Sequence, residues 1–146
     1  MPAAAEPVTI PHTHLPPPAR TIHGVGGLKE WLVGEGLAVS DQRTFIEEFA
    51  ERLVAAGVPL DRMTTMIETI HADYAGIGRF WTRGEGVVER YWPYETGDGA
   101  HAAYLRSPFY ECHQTRQWCR LRIAETPDDS FGVVPDLKEA GFTDYI

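Results

Sequence analysis

Two aromatic, β-branched runs on either side of a four-residue connector constrain this chain more than any other feature. Ile77-Gly78-Arg79-Phe80-Trp81-Thr82 and Val87-Val88-Glu89-Arg90-Tyr91-Trp92 flank Arg83-Gly84-Glu85-Gly86, a pattern that predicts a β-hairpin. Successive strand residues point to opposite faces, so Phe80 must diverge from Trp81, and Tyr91 from Trp92. One ring of each pair belongs in a core beneath helices. The other lines either a ligand pocket or a dimer surface. Tyr74, Trp81 and Trp92 with Arg79 and Arg90 are therefore the candidate ligand-binding set, because aromatic rings beside guanidinium groups hold planar or anionic molecules. Core packing or dimer contact is the commoner fate of such rings.

The elements around the hairpin follow from periodicity and caps. Residues 28–33 predict a short helix stopped by Gly34 and Gly36. In the next, Ser40 is the expected N-cap and Asp41 adds negative charge to the first turn. Phe45, Ile46, Phe49, Leu53 and Val54 then recur at three- and four-residue spacing up to Gly57. Glu47, Glu48, Glu51 and Arg52 fall on the other side, which reads as a solvated face or an acidic partner-binding patch. Residues 62–71 fit a helical stripe through Met63, Met66, Ile67 and Ile70. Their β-branched content and short bounded length favour a strand.

Downstream, 96–99 reads as a loop. Ser107-Pro108 starts a helix running to about Gln117, with Ser as cap and Pro in the first turn. Alternation over 118–123 predicts a half-buried strand, with Cys119, Leu121 and Ile123 inward. A short helix follows over 136–140, stopped by Gly141, and a final strand over 142–146. The fold class is thus α+β, an antiparallel sheet with flanking helices, as in GAF and PAS sensor domains.

Composition narrows the function classes. The 146 residues suit one domain, and 43% hydrophobic content with four Trp supplies a core. No apolar window of membrane-spanning length occurs, and 1–7 lacks the basic and apolar regions of a secretory signal. A net charge of −8 disfavours nucleic acid and anionic membrane as partners. Two cysteines are too few for a disulfide framework. The expectation is a cytoplasmic protein. Residues 1–26, rich in proline and carrying His12 and His14, read as an extended leader, with adventitious metal binding the most they offer. The folded domain is expected over 27–146.

Candidate chemistry beyond the aromatic set is sparse. Glu111-Cys112-His113 with Cys119 is the densest group of metal-ligand types, and Cys112 and His113 join the candidate ligand-binding residues. Structural zinc prefers four ligands at tighter spacing, so core and helix-face roles are favoured and no metal is expected. A redox pair of the two cysteines requires Cα atoms within about 7 Å. Cys112 and His113 point about 100° apart on a helix, which disfavours a nucleophile–base pair. His71 with Asp73 has no nucleophile beside it and reads as a turn histidine. No catalytic residue is assigned, and no cofactor is named.

Five segments occur together in a suggestive order. They are 51–62 (Glu51-Arg52-Leu53-Val54 through Val58-Pro59-Leu60-Asp61-Arg62), Ile70-His71 with Trp81, Arg106-Ser107-Pro108-Phe109, Cys119-Arg120-Leu121-Arg122, and Asp136-Leu137-Lys138-Glu139-Ala140-Gly141-Phe142-Thr143-Asp144-Tyr145. Together, over about 28–146, they resemble the N-terminal GAF-like regulatory domain of bacterial class III adenylate/guanylate cyclases. Ala72 departs from the Pro expected after His71. The resemblance implies a sensor or regulatory module, a homodimer and a small-molecule ligand, with a separate cyclase domain whose metal-binding aspartates are not found here. It also leads to the expectation that the sheet lacks its last strands and that the chain belongs to a larger protein. The alternative is a stand-alone protein-interaction or small-ligand-binding module.

Overall fold

A computed structural model describes residues 24–94 and 98–146, with the side chains of 98–101 left aside; the proline-rich stretch 1–23 lies outside the described residues. Contacts divide the chain into two compact units, one ending at Tyr94 and the other following it, where a single domain is expected over 27–146.

The first unit holds α1 (Gly24–Val33), a 3₁₀ turn (Glu35–Ala38), α2 (Gln42–Ala55), and the strands β1 (Arg62–Glu68), β2 (Gly76–Thr82) and β3 (Gly86–Trp92). The strands form an antiparallel sheet in the order β1-β2-β3, with Met63 opposite Trp81 and Trp81 opposite Val87. The hairpin turn contracts to Arg83-Gly84-Glu85, with Gly84 at φ 80° and Gly86 at φ 81° supplying the left-handed backbone. Of the ambiguous run 62–71, residues 62–68 form a strand, in keeping with their β-branched content, and 69–71 fall outside it.

Helix α2 is buried on two sides. Ile46, Ala50 and Val54 cluster with Trp81, Val87 and Met63 from the sheet and with Leu60 just before β1, and Ala50 is wholly buried. On another side, Trp31 of α1 stacks on Phe45 at 5.5 Å and Phe45 on Phe49 at 6.1 Å. The Arg52 guanidinium lies over the Trp31 ring at 4.3 Å and pairs with Glu48 at 3.0 Å. Both ionic groups are buried, which corrects the expectation that Glu48 and Arg52 are solvated. Polar patterning on one helix does not reveal that a neighbouring Trp will cover it. The N-cap is Asp41 rather than Ser40: its carboxylate accepts the Thr44 amide at 2.8 Å. That amide and the Thr44 hydroxyl hold the Asp41 carboxyl below its ordinary value, the hydroxyl being the larger influence.

The second unit comprises α3 (Asp98–Leu105), α4 (Pro108–Thr115), β4 (Leu121–Arg122), a 3₁₀ turn (Ile123–Glu125), α5 (Val134–Glu139) and β5 (Asp144–Tyr145). Ser107 caps α4 through the Tyr110 amide at 3.3 Å, with Pro108 in the first turn as expected. Arg116 ends the helix in the left-handed region at φ 55°. The strand expected over 118–123 shrinks to two residues because its antiparallel partner β5 also has two; Leu121 faces Tyr145 and Arg122 faces Asp144. Ile123, buried, donates to the Thr143 carbonyl at 2.9 Å and then turns into the 3₁₀ segment. The α+β class with an antiparallel sheet and flanking helices therefore stands, with the strands in two separate sheets.

Candidate functional site

The three-stranded sheet sorts the candidate residues by alternation. Ile77, Arg79 and Trp81 of β2 share a face with Val87, Glu89 and Tyr91 of β3, as their cross-strand pairing requires. This face carries the core: Trp81 is only 3% exposed. Arg79 and Glu89, directly opposite and both buried, form a 2.7 Å ion pair through Nε and Oε1. The Tyr91 hydroxyl donates to the other Glu89 oxygen at 3.2 Å, and burial together with that carboxylate raises the Tyr91 phenol above its ordinary value. Tyr74 packs edge-on against Tyr91 at 5.0 Å, and His71 stacks on Tyr74 at 4.0 Å. The His71 ring accepts the Asp73 amide at 3.2 Å, an exposed turn histidine.

The reverse face carries Thr64 and Met66 from β1, Phe80 from β2, and Val88, Arg90 and Trp92 from β3. Met66 is 50% exposed, Val88 39%, and Arg90 is exposed. The Arg90 guanidinium sits over the Phe80 ring at 5.0 Å, and Phe80 tilts against Trp92 at 6.1 Å. Gly78 is what lets the indole lie down: a Cβ there would overlap the Trp92 ring. A face with two aromatic rings, an aliphatic rim and a cation can hold a flat or anionic molecule or another apolar surface.

The candidate set therefore does not converge on one pocket. Arg79, Trp81 and Tyr74 belong with the covered face, and Arg90 and Trp92 with the open one. Cys112 and His113 lie on α4 in the second unit. There the His113 ring pairs through Nδ1 with the Tyr104 hydroxyl at 2.8 Å, while Cys112 and Cys119 are both free and half-buried. Trp118, next to Cys119, is 89% exposed. Among the described residues no group of three or more His, Cys, Asp or Glu could hold a metal ion.

A concavity of about 510 Å³ lies between α2 and the hairpin turn, lined by Glu47, Glu51, Trp81, Arg83, Glu85 and Gly86 among others. Glu51 is raised above the usual carboxylate range, by burial first and then by the Glu47 charge. The acidic side of α2 signals these carboxylates in the sequence, but nothing there shows that the turn closes over them. The site is acidic and supplies neither a nucleophile nor a base set against one.

No protein-family model, no curated protein and no solved structure matches this chain.

Proposed function

We propose that this chain is a GAF-like regulatory module of a class III nucleotide cyclase signalling protein, cytoplasmic and non-catalytic in itself. Its input surface is the sheet face carrying Phe80, Arg90 and Trp92. The observation behind the reading is the contrast within one sheet. A helix covers one face, while the other presents two aromatic rings and a guanidinium with exposed Met66 and Val88. A module that senses must keep a binding surface outside its core, and this face is placed to receive a small flat ligand or a second copy. Either occupant biases a two-state arrangement by binding one state better than the other. The ordered resemblance of 28–146 to cyclase-linked domains supplies the signalling context. Among the described residues no helix is long and apolar enough to cross a membrane.

The test starts with the gene. Reading the frame beyond the Ile146 codon should reveal a cyclase catalytic domain; a stop codon there in every related gene would sink the cyclase link. The full product should convert a nucleoside triphosphate to its cyclic form with a divalent cation. Trp92→Ala, or Arg90→Ala, should change that rate or the dimer fraction seen by light scattering. Unchanged rate and association in both variants would remove the open face from the mechanism and favour an interaction module of another kind.

A further inference from the structure

The three-stranded sheet has two edges, and they are finished differently. On β3 the Arg43 guanidinium of α2 donates to the Val87 carbonyl at 3.2 Å, closing part of that edge. On β1 the ladder with β2 fixes which groups turn outward. Just before the strand the Arg83 amide donates to the Asp61 carbonyl at 3.0 Å, and just after it the Thr69 amide donates to the Ala75 carbonyl at 2.8 Å. Bonded residues alternate along an antiparallel pair, so Met63, Thr65 and Ile67 bond to β2. Arg62, Thr64, Met66 and Glu68 aim their amides and carbonyls away from it. Among the described residues no hydrogen bond reaches the outward backbone groups of Thr64, Met66 and Glu68.

Proteins blunt an exposed edge with proline, lysine, a bulge or a charge in mid-strand. Residues 62–68 have none of these: the register with β2 is unbroken, and the charges stand at the two ends. Met66 is 50% exposed and Ile67 41%. Such an edge is a template for another strand, and this one is complementary to itself. Set antiparallel to a second copy about Thr65, Arg62 falls opposite Glu68, Met63 opposite Ile67, and Thr64 opposite Met66. Each opposed pair then shares a face, and the outward groups of 62, 64, 66 and 68 meet as bonded pairs, each exchanging two hydrogen bonds. Thr65 meets its own copy at the closer, non-bonded spacing, where Thr–Thr pairs are favourable. A slip of two residues would shorten the ladder and separate the opposite charges.

We propose that β1 is a homodimerisation edge, pairing antiparallel with β1 of a second copy about a two-fold axis through Thr65. The axis stands perpendicular to the sheet and joins two three-stranded sheets into one of six strands. Both copies use the same edge, so the contact closes on itself and association stops at two. Both α2 helices then lie on one side of the joined sheet. Both faces bearing Phe80, Arg90 and Trp92 lie on the other. The pairing uses the strand edge rather than that open face, and it does not depend on the cyclase reading.

Light scattering of the full chain over a dilution series should show a dimer. Thr64→Pro removes an outward donor and leaves the bonds to β2 in place, so it should weaken association roughly a hundredfold with circular dichroism unchanged. Arg62→Glu and Glu68→Arg each set like charges opposite one another at both ends of the ladder. Each alone should weaken association roughly tenfold. Mixed in equal amounts, these two variants should recover the dimer, because every end then pairs opposite charges; that recovery separates a lost contact from a lost fold. A monomer at every concentration, or a mixture that associates no more tightly than the separate variants, would overturn the proposal. So would a dimer dissolved by Trp92→Ala but not by Thr64→Pro, which would place the second copy on the open face.

Discussion

The two faces of the three-stranded sheet are built from nearly the same residue types, yet they do opposite work. On the covered face an aromatic ring, Trp81, and an arginine, Arg79, are both buried, the arginine paired with Glu89. On the reverse face an aromatic ring, Phe80, and an arginine, Arg90, meet each other and remain partly in water. The difference is which face α2 covers. Burial turns a tryptophan into core and an arginine into a charge that must be neutralised, whereas exposure leaves the same groups free for recognition.

The largest effect should come from Trp81→Ala. Removing a buried indole from between Ala50 and Val87 should cost about 4 kcal/mol, measured by urea denaturation, and leave the first unit largely unfolded. Glu89→Gln should follow at about 3 kcal/mol, since the Arg79 charge loses its directly opposed carboxylate in the interior. Replacing both partners with apolar residues, Arg79→Met with Glu89→Leu, should recover most of that loss; a double variant as unstable as the single one would show the pair does more than satisfy itself. Trp92→Ala, by contrast, should cost only about 1 kcal/mol, because the indole rests on Gly78 and Phe80 at the surface. A cost near that of Trp81→Ala would break the distinction between the faces.

The smallest effect concerns the cap of α2. The folded Asp41 carboxyl sits below its ordinary 3.8, so its contribution is complete above that value and fades as pH falls through the lower folded one. Asp41→Ala should remove about 1 kcal/mol at neutral pH and progressively less as the pH falls below 3.8, a difference visible in paired thermal melts.

Sequence patterning revealed the hairpin because alternation and a Gly-containing turn are both local signals, and it revealed α2 because apolar spacing is. It did not reveal α3, whose first residues, Asp98 and Gly99, have turn chemistry that outweighs the helix-forming Ala102-Ala103-Tyr104-Leu105 behind them. The length of β4 was hidden for another reason: a strand extends only as far as its partner does, and β5 is short. The division of the aromatic set between faces follows from strand alternation, but which face α2 would take does not. The left-handed end of α4 was also not legible, because nothing in the residue type of Arg116 announces a positive φ.

The placement of the tryptophans gives the chain two optical reporters. Trp31 and Trp81 are buried and Trp92 is half-buried, all three in the first unit, while the second holds Trp118 alone, exposed to water. The first unit should emit toward the blue and resist iodide quenching, and Trp118 should emit toward the red and be quenched readily. A denaturation curve followed by blue emission thus watches only the first unit. Melting of the second would pass unseen by that signal while far-ultraviolet dichroism records it, and the lag between the two curves measures how independently the two units unfold.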